Sequence, residues 1–274
     1  MAEHEPKLDT FPKYLLLNAE RFSDLPAMRH KDFGIWQSWT WKEQLEQVRA
    51  FSIGLQAQGV AHGERVAVVG ANRPRLYWAI AALQALGAVP VPVYADAVAE
   101  ELAYVLDHAG VRLAVVQDQE QVDKLLAFSE KIPNLGTIIY DEQRGLDDYD
   151  HARLISFSDV QEAGRRKMAS EPGASAQWEE TIRAASGGDI SIMLYTSGTT
   201  GRSKGVVITA EAAVQAAADT VAFDKLNEHD SVLAYLPLAW VGDHYLNYAQ
   251  GYISGFCVNC PEGPETVAQD LREI

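Results

Sequence analysis

The chain has 274 residues, 47% of them hydrophobic, and a formal net charge of −15. That length and apolar content suffice for a large buried core, while the acidic surface repels nucleic-acid phosphates and anionic lipid and so excludes both as default partners. Any nucleotide site on such a chain must concentrate positive charge locally.

Residues 1–13 are charged and lack an apolar core, so no cleavable signal peptide is expected. The spacing of Phe11, Tyr14, Leu15, Leu17 and Phe22 predicts an amphipathic helix over 11–22. Aromatic-rich segments on either side of Gly34, with Phe33, Trp36, Trp39 and Trp41, predict a hairpin over 27–41, its rings read as packing residues. Thr40 followed by Glu43 fits a capping box that opens a helix over 41–58, which Gly59 and Gly63 end.

From Glu64 the pattern alternates. Strand-like runs fall at 65–69, 89–94, 113–117, 137–140 and 154–157, with helix-like runs at 73–86, 99–109, 120–131 and 160–168. Continuous apolar strands alternating with helices predict an α/β fold, a parallel sheet flanked by helices on both faces. The longest apolar stretch, 77–95, contains Gln84, Gly87, Pro90 and Pro92 and reads as helix, turn and strand, not as a membrane span. A cytoplasmic protein is the expectation. Arg73 and Arg75 at a helix start are left unassigned as an anion site, and neither His62 nor His108 has metal-ligand spacing. The segment 169–188, rich in Ala, Ser, Gly and Glu, marks the expected boundary between a first α/β subdomain, 1–170, and a second, 171–274.

The chemistry concentrates at 194–209. An apolar run, 190–195, feeds a loop of Thr196, Ser197, Gly198, Thr199, Thr200 and Gly201, and a second run leaves it at 206–208. The two glycines let backbone N–H groups turn toward one ligand, hydroxyls add short donors, and Lys204 adds a mobile positive charge. A site of this composition suits a polyphosphate. It is not a Walker A loop: Ser203 stands five residues after Gly198, and Gly205 rather than Ser or Thr follows Lys204.

Further on, a helix over 210–223, a strand at 231–235, helical structure at 246–252, a strand at 256–259 and a helix from 264 cut short by the chain end are predicted. Pro237 turns the chain out of the sheet, so that Trp240 and Tyr245 either line a groove with Asp243 and His244 nearby or pack at the strand end. Cys257 and Cys260, three apart on a strand, point to opposite faces and read as two unrelated thiols.

The order Tyr195-Thr-Ser-Gly-Thr-Thr-Gly-x-x-Lys-Gly-Val206 closely resembles the phosphate-binding signature of the adenylate-forming (AMP-binding) enzymes, with Ser203 where that family usually has Pro. Leu236-Pro-Leu resembles their second signature, which borders the acyl pocket, with Trp240 where many members have His. Thr10-Phe-Pro-Lys-Tyr-Leu-Leu, Asp32-Phe-Gly-Ile-Trp-Gln-Ser-Trp-Thr-Trp and Pro264-Glu-Thr-Val-Ala-Gln-Asp-Leu-Arg-Glu are similar to long-chain fatty acyl-CoA synthetases.

The resemblance implies an ATP-dependent ligase that adenylates a fatty acid and then passes the acyl group to coenzyme A. It implies that Thr196–Gly201 hold the β- and γ-phosphates, that Lys204 neutralises them, that Thr196 helps ligate Mg²⁺ and that Trp240 borders the acyl substrate. The implied partners are fatty acid, ATP and CoA, with at most a peripheral contact to membrane and homodimerisation left open. Family members continue into a Tyr-Gly-x-Thr-Glu stretch and a small C-terminal domain carrying a catalytic Lys, neither of which lies within these 274 residues, so the chain is expected to be an inactive N-terminal portion. A naturally short nucleotide- or acyl-binding protein and an adenylating enzyme for another carboxylic acid are the alternatives.

Overall fold

Three sheets organise the structure, a computed structural model that describes residues 7–149, 152–196 and 202–274. Helix α1 (Phe11–Arg21) leads into a hairpin of β1 (Pro26–Asp32) and β2 (Ile35–Thr40). Its turn, Phe33-Gly34, has φ of 48° and 75°, the positive values that match a two-residue turn to twisted strands. Helix α2 (Trp41–Ala57) opens on a capping box: Thr40 Oγ1 accepts from the Glu43 N–H, and the Glu43 carboxylate accepts from the Thr40 N–H.

The alternating block follows as β3 (Arg65–Val69), α3 (Pro74–Ala85), β4 (Val89–Val93), α4 (Ala99–Ala109), β5 (Leu113–Val116), α5 (Gln119–Ala127), β6 (Thr137–Tyr140), β7 (Leu154–Ser156) and α6 (Phe157–Ser170). Its five strands lie in the order β4-β3-β5-β6-β7, every pairing parallel. The strand period of two divides β3, β5 and β6 between two cores. Val66 and Val68 of β3 face the core shared with α2 and α3, whereas Ala67 and Val69 face α4 and α5. The helix predicted over 120–131 breaks at Phe128 and resumes only as a 3₁₀ turn, Ser129–Lys131.

Helix α7 (Ala174–Ala184) occupies the segment of shifted composition and buries Trp178 and Ile182 in the main core, with Trp178 Nε1 donating to Ser52 Oγ at 2.7 Å. Next come β8 (Ile190–Thr196), β9 (Lys204–Thr209), α8 (Ala210–Asp224), β10 (Ser231–Leu233), α9 (Val241–Asp243), a π-helical turn at His244–Ala249, α10 (Gln250–Ser254), β11 (Cys257–Cys260) and α11 (Val267–Asp270). Strands β8 and β9 form an antiparallel two-stranded sheet.

The third sheet joins the two ends of the chain in the order β10-β11-β1-β2, with Met28 paired in parallel to Val258. Residues on both sides of the 170/171 division therefore share one sheet and one core. The helix expected over 264–274 shortens to α11. Buried Lys31 pins that end, its ammonium donating to Asp270 at 2.9 Å and Glu273 at 2.7 Å, the pairing a buried lysine requires. Among the described residues no helix is long and apolar enough to cross a membrane.

Candidate functional site

The β8–β9 ladder pairs Tyr195 with Gly205 and Thr196 with Lys204, so the hydroxyl-rich loop leaves and returns at adjacent positions. Thr196 and Lys204 are both exposed. A Cβ on Gly205 would stand 2.3 Å from Met193 Cε and 3.3 Å from the Tyr195 ring, so a larger residue there must displace the end of the Met193 side chain. Ser197, Gly198, Thr199, Thr200 and Gly201 lie outside the described residues. His108 is no isolated helix-end residue: its Nδ1 and the Tyr195 hydroxyl are hydrogen-bonded at 2.7 Å.

Beside the hairpin opens a cavity of about 730 Å³, bounded by the end of β4, the first turns of α4 and the segment after β10. Its walls are mainly apolar, with Val98, Val105, Leu194, Ile208 and Trp240 among them, and Thr196 contributes one of the few polar groups. The structure thus brings Thr196 and Trp240, 44 positions apart in the sequence, to one cavity. Trp240 remains 45% exposed at its edge. Lys204 lies across the ladder from Thr196 and does not line the cavity.

Three residues past Trp240 the character changes from groove to core. The Asp243 N–H donates to the Trp240 carbonyl at 3.1 Å, and its carboxylate is buried. Oδ1 accepts from Asn72 Nδ2, the Tyr77 hydroxyl and Asn247 Nδ2, each at 2.7 Å. Asn72 Nδ2 also donates to the Leu236 carbonyl at 2.9 Å, so one cluster holds both ends of the segment 236–243. Burial pushes the Asp243 carboxyl up to about 7, against the three hydrogen bonds that favour its charged form. Burial likewise pushes the neighbouring His244 down to about 4, and its Nε2 has no hydrogen-bond partner among the described residues. Tyr245 packs half-buried against the main core and does not line the cavity.

The other motifs are satisfied locally. Arg73 pairs with Glu142 and Arg75 with Asp141, so acidic side chains just past β6 neutralise both guanidinium groups. Cys257 and Cys260 are both buried, and burial pushes the Cys257 thiol up to about 11 and Cys260 far above its ordinary value. Among the described residues no group of three or more His, Cys, Asp or Glu is placed to hold a metal ion. Thr196 offers a single hard oxygen. Asn72, Tyr77 and Asn247 carried no recognisable signal, since their only common feature is the buried carboxylate they reach from three separate elements.

Long-chain-fatty-acid–CoA ligase ACSBG2 of Homo sapiens is 30% identical over 242 residues, which is 87% of this chain and 34% of the ligase. Long-chain-fatty-acid–CoA ligase FadD15 of Mycobacterium bovis is 30% identical over 215 residues, 76% of this chain and 33% of its own length. The chain spans about a third of the length of these curated relatives. The structure of a fatty acyl-adenylate ligase from L. pneumophila, in complex with acyl adenylate and pyrophosphate, has the same fold, with a TM-score of 0.73 over 97% of this chain and 42% of that one at 15% identity. The AMP-binding enzyme family matches residues 16–274, nearly the whole chain, and the protein belongs to that family.

Proposed function

We propose that this chain is the N-terminal portion of an ATP-dependent long-chain fatty acid–CoA ligase. The reaction joins a fatty carboxylate to AMP with release of pyrophosphate, then exchanges AMP for the CoA thiol. The observation that carries this reading is the exposed Thr196–Lys204 pair at a hairpin end, beside an apolar cavity that Thr196 and Trp240 share. In this assignment Thr196, Ser197, Gly198, Thr199, Thr200 and Gly201 hold the β- and γ-phosphates. Lys204 neutralises the charge that develops on the departing pyrophosphate, where a fixed cation is worth most. Trp240 closes the acyl substrate against water. Thr196 would offer one hard oxygen to a Mg²⁺ ion that accompanies the nucleotide, and the ion would supply charge neutralisation at the phosphates. The substrates are small molecules, fatty acid, ATP and CoA, and the reaction is assigned to the cytoplasm.

The test follows exchange of labelled pyrophosphate into ATP, and formation of palmitoyl-CoA and AMP, with palmitate, Mg²⁺ and CoA supplied. The 274-residue chain and a polypeptide spanning the relatives' full length are compared. Turnover is expected of the longer polypeptide only, with ATP held by the shorter chain no tighter than about millimolar. Clear synthesis by the 274 residues alone overturns the proposal. In the longer polypeptide, Lys204→Ala or Thr199→Val is expected to slow adenylation by about 2–4 kcal/mol while sparing thioester formation, and equal slowing of both steps overturns the assigned role.

A further inference from the structure

Helix α4 meets the phosphate loop at both of its ends. Glu101, Tyr104 and His108 follow at i, i+3 and i+7 and so share one face of that helix. At the incoming end, His108 holds the hydroxyl of Tyr195, the residue immediately before Thr196. At the outgoing end, the Tyr104 hydroxyl donates to the Ser203 carbonyl at 3.1 Å, and the Ser203 hydroxyl donates to Glu101 at 3.4 Å. The Arg202 guanidinium stands 5.3 Å from the centroid of the Tyr104 ring. These outgoing contacts converge on the two residues just before Lys204. They include position 203, where the related signature carries a proline and this chain a serine. Proline fixes φ and narrows what the chain can sample, and serine does neither.

We infer that Tyr104 and His108 are positioning residues, and that α4 braces both legs of the loop in place of the stiffness a proline at 203 would supply. The brace fixes the direction from which Lys204 leaves the loop. It rests on the proposed function in one respect, that the loop it steadies binds phosphate.

The test is amide hydrogen exchange on the 274-residue chain, read by mass spectrometry over 202–206, for the wild type, Tyr104→Phe, Ser203→Pro and the double variant. Loss of one hydrogen bond is expected to speed exchange there roughly two- to tenfold in Tyr104→Phe, with β3 and β5 unchanged. With Pro at 203 the same Tyr104→Phe change is expected to have little effect, and Ser203→Pro alone to slow exchange. Unchanged exchange in Tyr104→Phe, an equal increment with Ser or Pro at 203, or no slowing in Ser203→Pro overturns the brace. Titration with pyrophosphate separates the two readings. A parallel two- to tenfold loss of affinity in Tyr104→Phe, restored by Ser203→Pro, supports the positioning role. If exchange responds as stated but the wild-type chain binds no pyrophosphate, the brace stands and the phosphate-binding assignment falls.

Discussion

The Tyr77 hydroxyl donates a 2.7 Å hydrogen bond to Oδ1 of Asp243, a residue 166 positions away. With Asn72 and Asn247 on the same oxygen, this contact ties the start of α3 to the segment that carries Trp240. The carboxylate is therefore the shared acceptor of three elements, and burying it carries a consequence for stability.

In the folded chain the Asp243 carboxyl is pushed up to about 7, from an ordinary value of 3.8. The folded state thus holds this proton more tightly than the unfolded state. The stability it contributes is full below pH 3.8 and lost as the pH rises through 7. Between pH 5 and 8 that loss amounts to about 2–3 kcal/mol. His244, pushed down to about 4 from 6.5, acts in the opposite sense, losing stability as the pH falls from 6.5 to 4. Asp243→Asn keeps an acceptor for the three donors and cannot ionise, while leaving His244 in place. In urea unfolding, wild-type stability is expected to fall relative to Asp243→Asn by that amount between pH 5 and 8. Parallel pH profiles for the two proteins would show that Asp243 does not titrate in this range.

Helices α2 and α6 cross at contact because glycines face each other's backbone. A Cβ on Gly164 would stand 1.9 Å from the Ala50 carbonyl oxygen, and one on Gly54 would stand 2.0 Å from that of Val160. Backbone cannot rotate away as a flexible side chain can. Gly164→Ala is expected to cost about 2–4 kcal/mol, read as a lower melting temperature. Gly173→Ala, where a Cβ meets nothing within 4 Å, is expected to be nearly neutral. A wild-type melting temperature in Gly164→Ala refutes the close crossing.

Trp240 is set against the cavity by its own local chain, since a Cβ on Gly242 would stand 2.8 Å from its ring. Trp240→Ala removes the wall, and Gly242→Ala displaces it. Both are expected to change which fatty-acid chain lengths compete best for binding, while ATP affinity stays close to wild type. An effect on ATP alone would remove Trp240 from the acyl assignment.

With burial pushing the Cys257 thiol up to about 11 and the Cys260 thiol well above its ordinary value, little reactive thiolate exists at pH 8. The native chain is expected to resist thiol-modifying reagents, to react at both cysteines once unfolded in urea, and to keep its stability within about 1–3 kcal/mol on Cys→Ala at both sites. Stoichiometric zinc lost on that double change would mean the two thiols act together.

Local signals decided the secondary structure and named the loop. Thr40 and Glu43 cap α2 within four residues of chain, and the apolar runs of β3 to β6 need both faces covered, so each was legible without its neighbours. The order of residues from Tyr195 to Val206 likewise carries its resemblance to the family's signature in the sequence itself. What the tertiary structure alone decided depends on partners distant along the chain. Met28 finds Val258, Lys31 finds Asp270 and Glu273, and His108 finds Tyr195. Asp243 and His244 stand near Trp240 in a segment that the sequence left open between lining a groove and packing at the strand end. They lie in the core because Asn72, Tyr77 and Asn247 supply the donors that make a buried carboxylate tolerable, while His244 sits neutral among aromatic rings. A hydrogen-bond donor 166 residues away leaves no periodicity or spacing in the sequence, and only folding brings it within 2.7 Å.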